Sequence, residues 1–180
     1  DVSQELSAKE VINDYGYEEL LKIFYEYGEE SNSKKIAETI VNNRPIQTTN
    51  ELVSVIESSL PRQNPKFTKS TVRKIFQAVR IEVNNEISEI IESLDTVKNF
   101  IKSNGIMVFL SYHSIEDRTI KQFIEKETKG CTCDPKLAIC ICENVPLFKL
   151  GKYKKRKPSN NEIKKNPRSK SAVLRFMVKI

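Results

Sequence analysis

The chain has 180 residues, 38% of them apolar and 30% charged, with a net charge of +6, four cysteines and one histidine. That composition excludes a disordered or fibrous chain and leaves room for one ordinary domain or two small ones. No apolar run approaches the ~20 residues that a membrane helix needs, and no signal-peptide pattern opens the chain, so a cytoplasmic protein without membrane contact is expected.

The first seventy residues carry helix signals and no strand signal. Ser7 and Glu10 have capping-box spacing ahead of Val11 and Ile12. Asp14 precedes a second helix with Leu20, Ile23, Phe24 and Tyr27 on its apolar face, stopped by Gly28. Ser33 opens a third through Ile36, Ala37, Ile40 and Val41, ended by Pro45, and Thr48 and Glu51 cap a fourth that carries Leu52, Val53 and Ile56 and finishes before Pro61. A compact all-α unit over residues 1–70 is expected.

A polar loop then leads into a longer helix with Val72, Ile75, Phe76, Val79 and Val83 on one face. Its other face carries Arg73, Gln77, Arg80 and Asn84. Such a stripe is either a solvated face or a row directed at RNA, since guanidinium and amide groups suit phosphates and base edges.

From Ile87, apolar residues recur at 90, 91, 94, 97 and 101, a helical face ending at Ser103, Asn104 and Gly105. Residues 106–112 (IMVFLSY) read as a strand buried on both faces. Ser114 and Asp117 follow at capping-box spacing, and Ile115, Ile120, Phe123 and Ile124 at helical spacing. This is half of a βαβ unit. In open α/β sheets, ligands bind beyond the carboxyl ends of the strands, beside helix N-termini, and His113 stands there. Two further strands are expected at 147–150 and 172–180, with Pro146 suiting an edge position for the first.

Cys131, Cys133, Cys140 and Cys142 lie close together, but their C-x-C pairs are tighter than the C-x2-4-C of structural zinc sites. Reduced thiols are the stronger reading, zinc on the four cysteines the weaker, and a disulfide the least favoured in the expected compartment. Residues 149–170 hold ten Lys and Arg against the single Glu162, a local charge of +9 in a chain whose total is +6. The block is either a solvated tail or a surface for a polyanion.

Several separated blocks resemble one family. LSYHSIEDRTIK (110–121) is similar to a family motif SFHSLEDR, and NPRSKSAVLR (166–175) to NPRARSAKLR. YGEE (27–30), TTNELVSVI (48–56) and TVRKIFQAVRIEVNNEI (71–87) are similar to YGEE, TT-x-x-L and TRTFQALRIAVNDEL. These motifs belong to the MraW/RsmH family, bacterial enzymes that methylate N4 of a cytosine in small-subunit ribosomal RNA using S-adenosylmethionine. The blocks follow in one order over most of the chain, with the cysteine loop matched least. There are departures: aligned on FQA, Lys74 and Ile75 replace Arg and Thr, Asn85 replaces Asp, Arg73 has no match, and Tyr112 stands where similar proteins usually carry Phe.

The resemblance implies an α/β fold, a partial class I Rossmann-like methyltransferase sheet, plus an all-α helical insertion domain. Residues 1–70 would be the insertion that recognises substrate, and residues 71–180 the C-terminal part of the methyltransferase domain, including the basic 149–170 segment. The last strand would insert antiparallel between the two before it, giving the spatial order 106–112, 172–179, 147–150 and an open, apolar edge at 106–112.

The implied cofactor is S-adenosylmethionine and the implied partner is small-subunit ribosomal RNA. The family's cofactor loop is glycine-rich, whereas the five glycines here, at 16, 28, 105, 130 and 151, form no G-x-G cluster. No cofactor-binding residue is therefore assigned. The chain is expected to be the C-terminal portion of a longer or split protein, inactive alone, needing the missing N-terminal half or a complementing chain, with a homodimer as the alternative partner. His113, Glu116, Asp117 and Arg118 are the expected pocket-edge residues, and Arg73, Arg80, Arg168 and Arg175 the expected RNA contacts. No catalytic base is assigned. The competing functions are a non-catalytic RNA-binding module and a zinc-stabilised interaction protein.

Overall fold

The computed structural model describes residues 6–61, 65–130, 133, 145–151 and 155–180. The chain divides into two compact units, Asp1–Glu86 and Ile87–Ile180.

The first unit is helical throughout its described residues: α1 (Ala8–Asp14), α2 (Tyr17–Glu26), α3 (Ser33–Asn42), α4 (Thr49–Ser59) and α5 (Pro65–Val83). Both expected capping boxes form. Ser7 Oγ accepts from Glu10 N while the Glu10 carboxylate accepts from Ser7 N, and Thr48 and Glu51 repeat the arrangement. The second helix starts at Gly16 rather than at Asp14, because the Glu19 carboxylate reaches back to Gly16 N at 2.7 Å. Apolar residues at helical spacing converge on one core, in which Leu20, Phe24, Ile36, Ile40, Ile56 and Ile75 are fully buried. The expected boundary at 70/71 falls inside α5, which runs unbroken and packs on α1, α2 and α4.

The turn after α2 is tied to α5 by a buried acid. Gly28 brings its Cα so close to the chain that a Cβ would lie 2.5 Å from Phe24 O, and Glu29 takes the left-handed conformation at φ 47°. Glu30 is thereby turned inward. Its carboxylate accepts from Asn32 N at 3.0 Å and Thr71 Oγ1 at 3.1 Å, and lies 3.4 Å from Lys74 Nζ. Burial alone would raise its pKa, but the Asn32 amide, the Lys74 charge and Thr71 outweigh that and hold it below the ordinary value.

The second unit contains α6 (Glu86–Val97, beginning at the last residue of the first unit), β1 (Ile106–Ser111), α7 (Ser114–Thr128), β2 (Phe148–Leu150), α8 (Asn160–Lys165) and β3 (Val173–Lys179). The sheet has the order β1-β3-β2, with β3 antiparallel to both neighbours, as the resemblance implied. Its inner face packs on α7: Met107, Phe109, Met177 and Phe148 meet Ile120, Phe123 and Ile124, with Phe109 edge-on to Phe123 at 6.3 Å. Fully burying each such side chain contributes about 1.5–3 kcal/mol.

The expectation that residues 106–112 are buried on both faces is corrected. Burial alternates strictly along β1, and Ile106, Val108, Leu110 and Tyr112 are 53–61% exposed. Side chains of a strand point to opposite faces in turn, and among the described residues α7 covers only one of them. The outer face is an apolar strip on an edge strand.

Candidate nucleic-acid interface

The turn from β1 into α7 is built differently from the expected Ser114 and Asp117 box. His113 is the N-cap: its Nδ1 accepts from Glu116 N at 3.3 Å, and the Glu116 carboxylate accepts from Tyr112 N at 2.8 Å and His113 N at 3.4 Å. An imidazole nitrogen thus takes the role usually played by a Ser or Asn oxygen, and the box begins one residue earlier. With Nδ1 accepting, the ring proton sits on Nε2. That atom is buried, 3.1 Å from Glu116 Oε1 but without hydrogen-bond geometry to it. His113 and Glu116 therefore hold the backbone of this turn together.

Moving the cap back releases Asp117 to face the sheet. Its two oxygens accept from Arg175 Nε at 2.7 Å and Nη2 at 2.9 Å, a bidentate pair joining the first turn of α7 to the middle of β3. Ser111 Oγ donates at 3.4 Å to Asp117 Oδ1. The pair is mostly buried, with side-chain exposures of 11% for Arg175 and 18% for Asp117. The Arg175 hydrogen bonds hold the Asp117 carboxyl below its ordinary pKa against the opposing effect of burial, with the Lys155 charge assisting, and Asp117 raises that of Arg175 in return. A pocket-edge candidate and an RNA-contact candidate are thus partners in one ion pair.

The other candidates are dispersed. Arg118 is exposed on α7, and Arg168 is exposed on the 3-10 turn Pro167–Ser171. In the helical unit, Arg73 is exposed, while Arg80 makes a bidentate pair with Glu86 at 2.8 and 2.9 Å, to which Asn84 Nδ2 adds a third bond. Half of the predicted α5 stripe is accordingly occupied by one carboxylate. Of the four cysteines, Cys131, Cys140 and Cys142 lie outside the described residues, and Cys133 is partly buried.

The described residues of the basic segment have a defined place. Every described Lys and Arg from 149 to 170 is exposed, and the stretch 155–157 runs beside β3, where Arg156 N and O each bond to Leu174 at 2.9 Å. Next to it, α8 and the following 3-10 turn close a groove of about 340 Å³ over the end of the outer strip, lined among others by Leu110, Tyr112, Leu174, Arg156, Lys157 and Asn166. Sequence reasoning did not find this groove or α8. One local signal was present, since Ser159 and Glu162 have capping spacing, and Ser159 Oγ does accept from Glu162 N at 3.2 Å.

These features sit in a recognisable lineage. Residues 1–180 match the family described as the MraW methylase family, and the chain belongs to it. It is 40% identical over 177 residues to ribosomal RNA small subunit methyltransferase H of Dehalococcoides mccartyi, covering 98% of this chain and 50% of that protein. The enzymes of the same name from Caldicellulosiruptor saccharolyticus and Clostridioides difficile are 40% and 39% identical over 183 positions, covering all of this chain and 59% of each relative. The chain spans about half to three fifths of the length of these curated relatives.

Proposed function

We propose that the chain is the C-terminal part of an S-adenosylmethionine-dependent methyltransferase that acts on N4 of a cytosine in small-subunit ribosomal RNA. The observation that carries this reading is the family match along the entire chain, joined to the relatives being ribosomal RNA small subunit methyltransferases. In the same reading, the helices preceding α5 are an RNA-recognising insertion, the sheet unit is the end of a Rossmann-like domain, and the protein works in the cytoplasm.

The lone pair of a cytosine N4 is delocalised into the ring, so a transferase must orient the amine and hold the base out of any stack. The part assigned to this chain is positioning. His113 and Glu116 set the turn at the carboxyl end of β1, Asp117 and Arg175 fix that turn to β3, and exposed Arg118 and Arg168 offer charge to RNA phosphates. S-adenosylmethionine supplies an electrophilic methyl group when bound. Among the described residues we assign it no cradle: the five glycines are isolated in sequence, and the α7 N-terminus is closed by its own capping box. Cofactor binding is assigned instead to the portion of the relatives that this chain does not span, and the same portion is the partner proposed for the edge of β1 and the Ile106 and Val108 end of its outer strip.

The test supplies the missing portion as a fusion or a second chain, using the corresponding segment of the Dehalococcoides mccartyi relative. Methyl-labelled S-adenosylmethionine and small ribosomal subunits are the substrates, and N4-methylcytidine is sought by mass spectrometry. Label is expected in RNA only when both portions are present. A folded fusion that binds RNA and transfers nothing would favour the second reading, a non-catalytic RNA-binding module, for which the exposed basic segment is the supporting observation.

A further inference from the structure

The groove beside Arg156 has a composition that neither the ion pair nor the helix cap explains. Its floor is Leu110 and Leu174, which face each other in register across β1 and β3, and one wall is Tyr112, an aromatic side chain 53% exposed. Its rim carries two cations, Arg156 and Lys157, and one carboxylate, Glu162, with Asn166 and Ser169 adding an amide and a hydroxyl. We propose that this groove docks one unpaired nucleotide of single-stranded RNA, with its base against Tyr112 and its flanking phosphates against Arg156 and Lys157. The inference rests on the reading that the chain acts on RNA, and adds the place and the strandedness.

Three observations separate this groove from an ordinary solvated tail. Arg156 is anchored by two backbone bonds to Leu174, so its charge is held beside the floor and not carried on a loose segment. The Tyr112 main chain is anchored too, since its N–H donates to the Glu116 carboxylate at 2.8 Å, and an aromatic ring with two side-chain torsions on a held backbone loses little freedom when a base stacks on it. The volume, about 340 Å³, suits a single base, whereas bases inside a duplex have no free face to offer. Ile106 and Val108, further back along the strip, lack this basic rim and are left to a protein cover.

The experiment measures fluorescence anisotropy of the 180-residue chain with a labelled single-stranded octanucleotide and with a hairpin duplex of the same sequence, across a salt series. Tyr112→Leu is expected to weaken single-strand binding about tenfold at unchanged salt slope, and to leave duplex binding as it was. Tyr112→Phe keeps the ring and should bind like the parent, which guards against a folding artefact in the Leu variant. Replacing Arg156 and Lys157 together by Gln should reduce the log–log salt slope by roughly 1.4, while Lys102→Gln with Lys121→Gln, the same charge loss at exposed positions of the sheet unit outside the groove, should not. Equal binding by Tyr112→Leu and parent, or an equal loss on both RNAs, overturns the groove but spares the RNA reading. A parent chain that binds neither RNA overturns both.

Discussion

The helical unit and the sheet unit solve the same problem to different extents. In the first, five helices enclose a core whose largest members are completely buried, and even its buried acid, Glu30, is satisfied from three sides. In the second, the sheet is covered by α7 on one face while Ile106, Val108, Leu110 and Tyr112 remain exposed on the other. Apolar strips of that kind mark interaction surfaces. Among the described residues the helical core is enclosed whereas the outer face of β1 is not, and an apolar surface of that kind suits another molecule.

Substitutions can break or sharpen this contrast. The largest effect is expected in the closed core: Phe24→Ala should cost about 3–5 kcal/mol in urea denaturation, since the helices around it cannot collapse into the space. A loss under 1 kcal/mol would mean that the core is looser than its burial indicates.

Next comes the latch of the sheet unit. Asp117→Asn leaves Arg175 mostly buried without its anionic partner, at a cost of about 2–4 kcal/mol, and the reverse variant Arg175→Gln should cost about as much. If the double variant is no worse than either single one, the coupling is the expected one. An additive result would assign the residues separate roles.

Glu30→Gln should cost about 1–3 kcal/mol, because the amide keeps some hydrogen bonds but loses the charge facing Lys74. Protonation gives the same information. Asp117 and Glu30 are both held below their ordinary values, so each contributes stability that is complete above an unfolded carboxylate pKa near 4 and is lost as pH falls through its lower folded value. The urea midpoint should stay level from about pH 7 to pH 5 and drop below about pH 4, and each variant should show a shallower drop than the parent.

The smallest stability effect is expected where the functional effect is greatest. Val108→Lys lies on the exposed strip and should change the stability of this chain by less than about 0.5 kcal/mol. On the proposed function, it should nevertheless abolish complementation by the segment of the relatives that this chain does not span, read as loss of methyl transfer in the mixed assay. Sedimentation of the parent chain alone distinguishes the other occupant, a second copy paired edge to edge, which would appear as a dimer that Val108→Lys dissociates.

Features held together over three or four residues were legible from the sequence. The Ser7 and Thr48 caps, the apolar faces of α2 to α5 and the three strands all rest on local hydrogen bonds or on a fixed periodicity, and they form where the spacing places them. The strand order β1-β3-β2 was legible only through the resemblance, since no spacing specifies which strands pair. Tertiary structure decided the rest. Asp117 and Arg175 are 58 residues apart, and their pairing depends on β3 lying beside β1. The cap shifted to His113 because its ring could accept from Glu116 N, and only then could Asp117 turn to the sheet. Which face of β1 stays open, and which cations stand beside Tyr112, depend on what the folded chain places there, and alternation along a strand is blind to its surroundings.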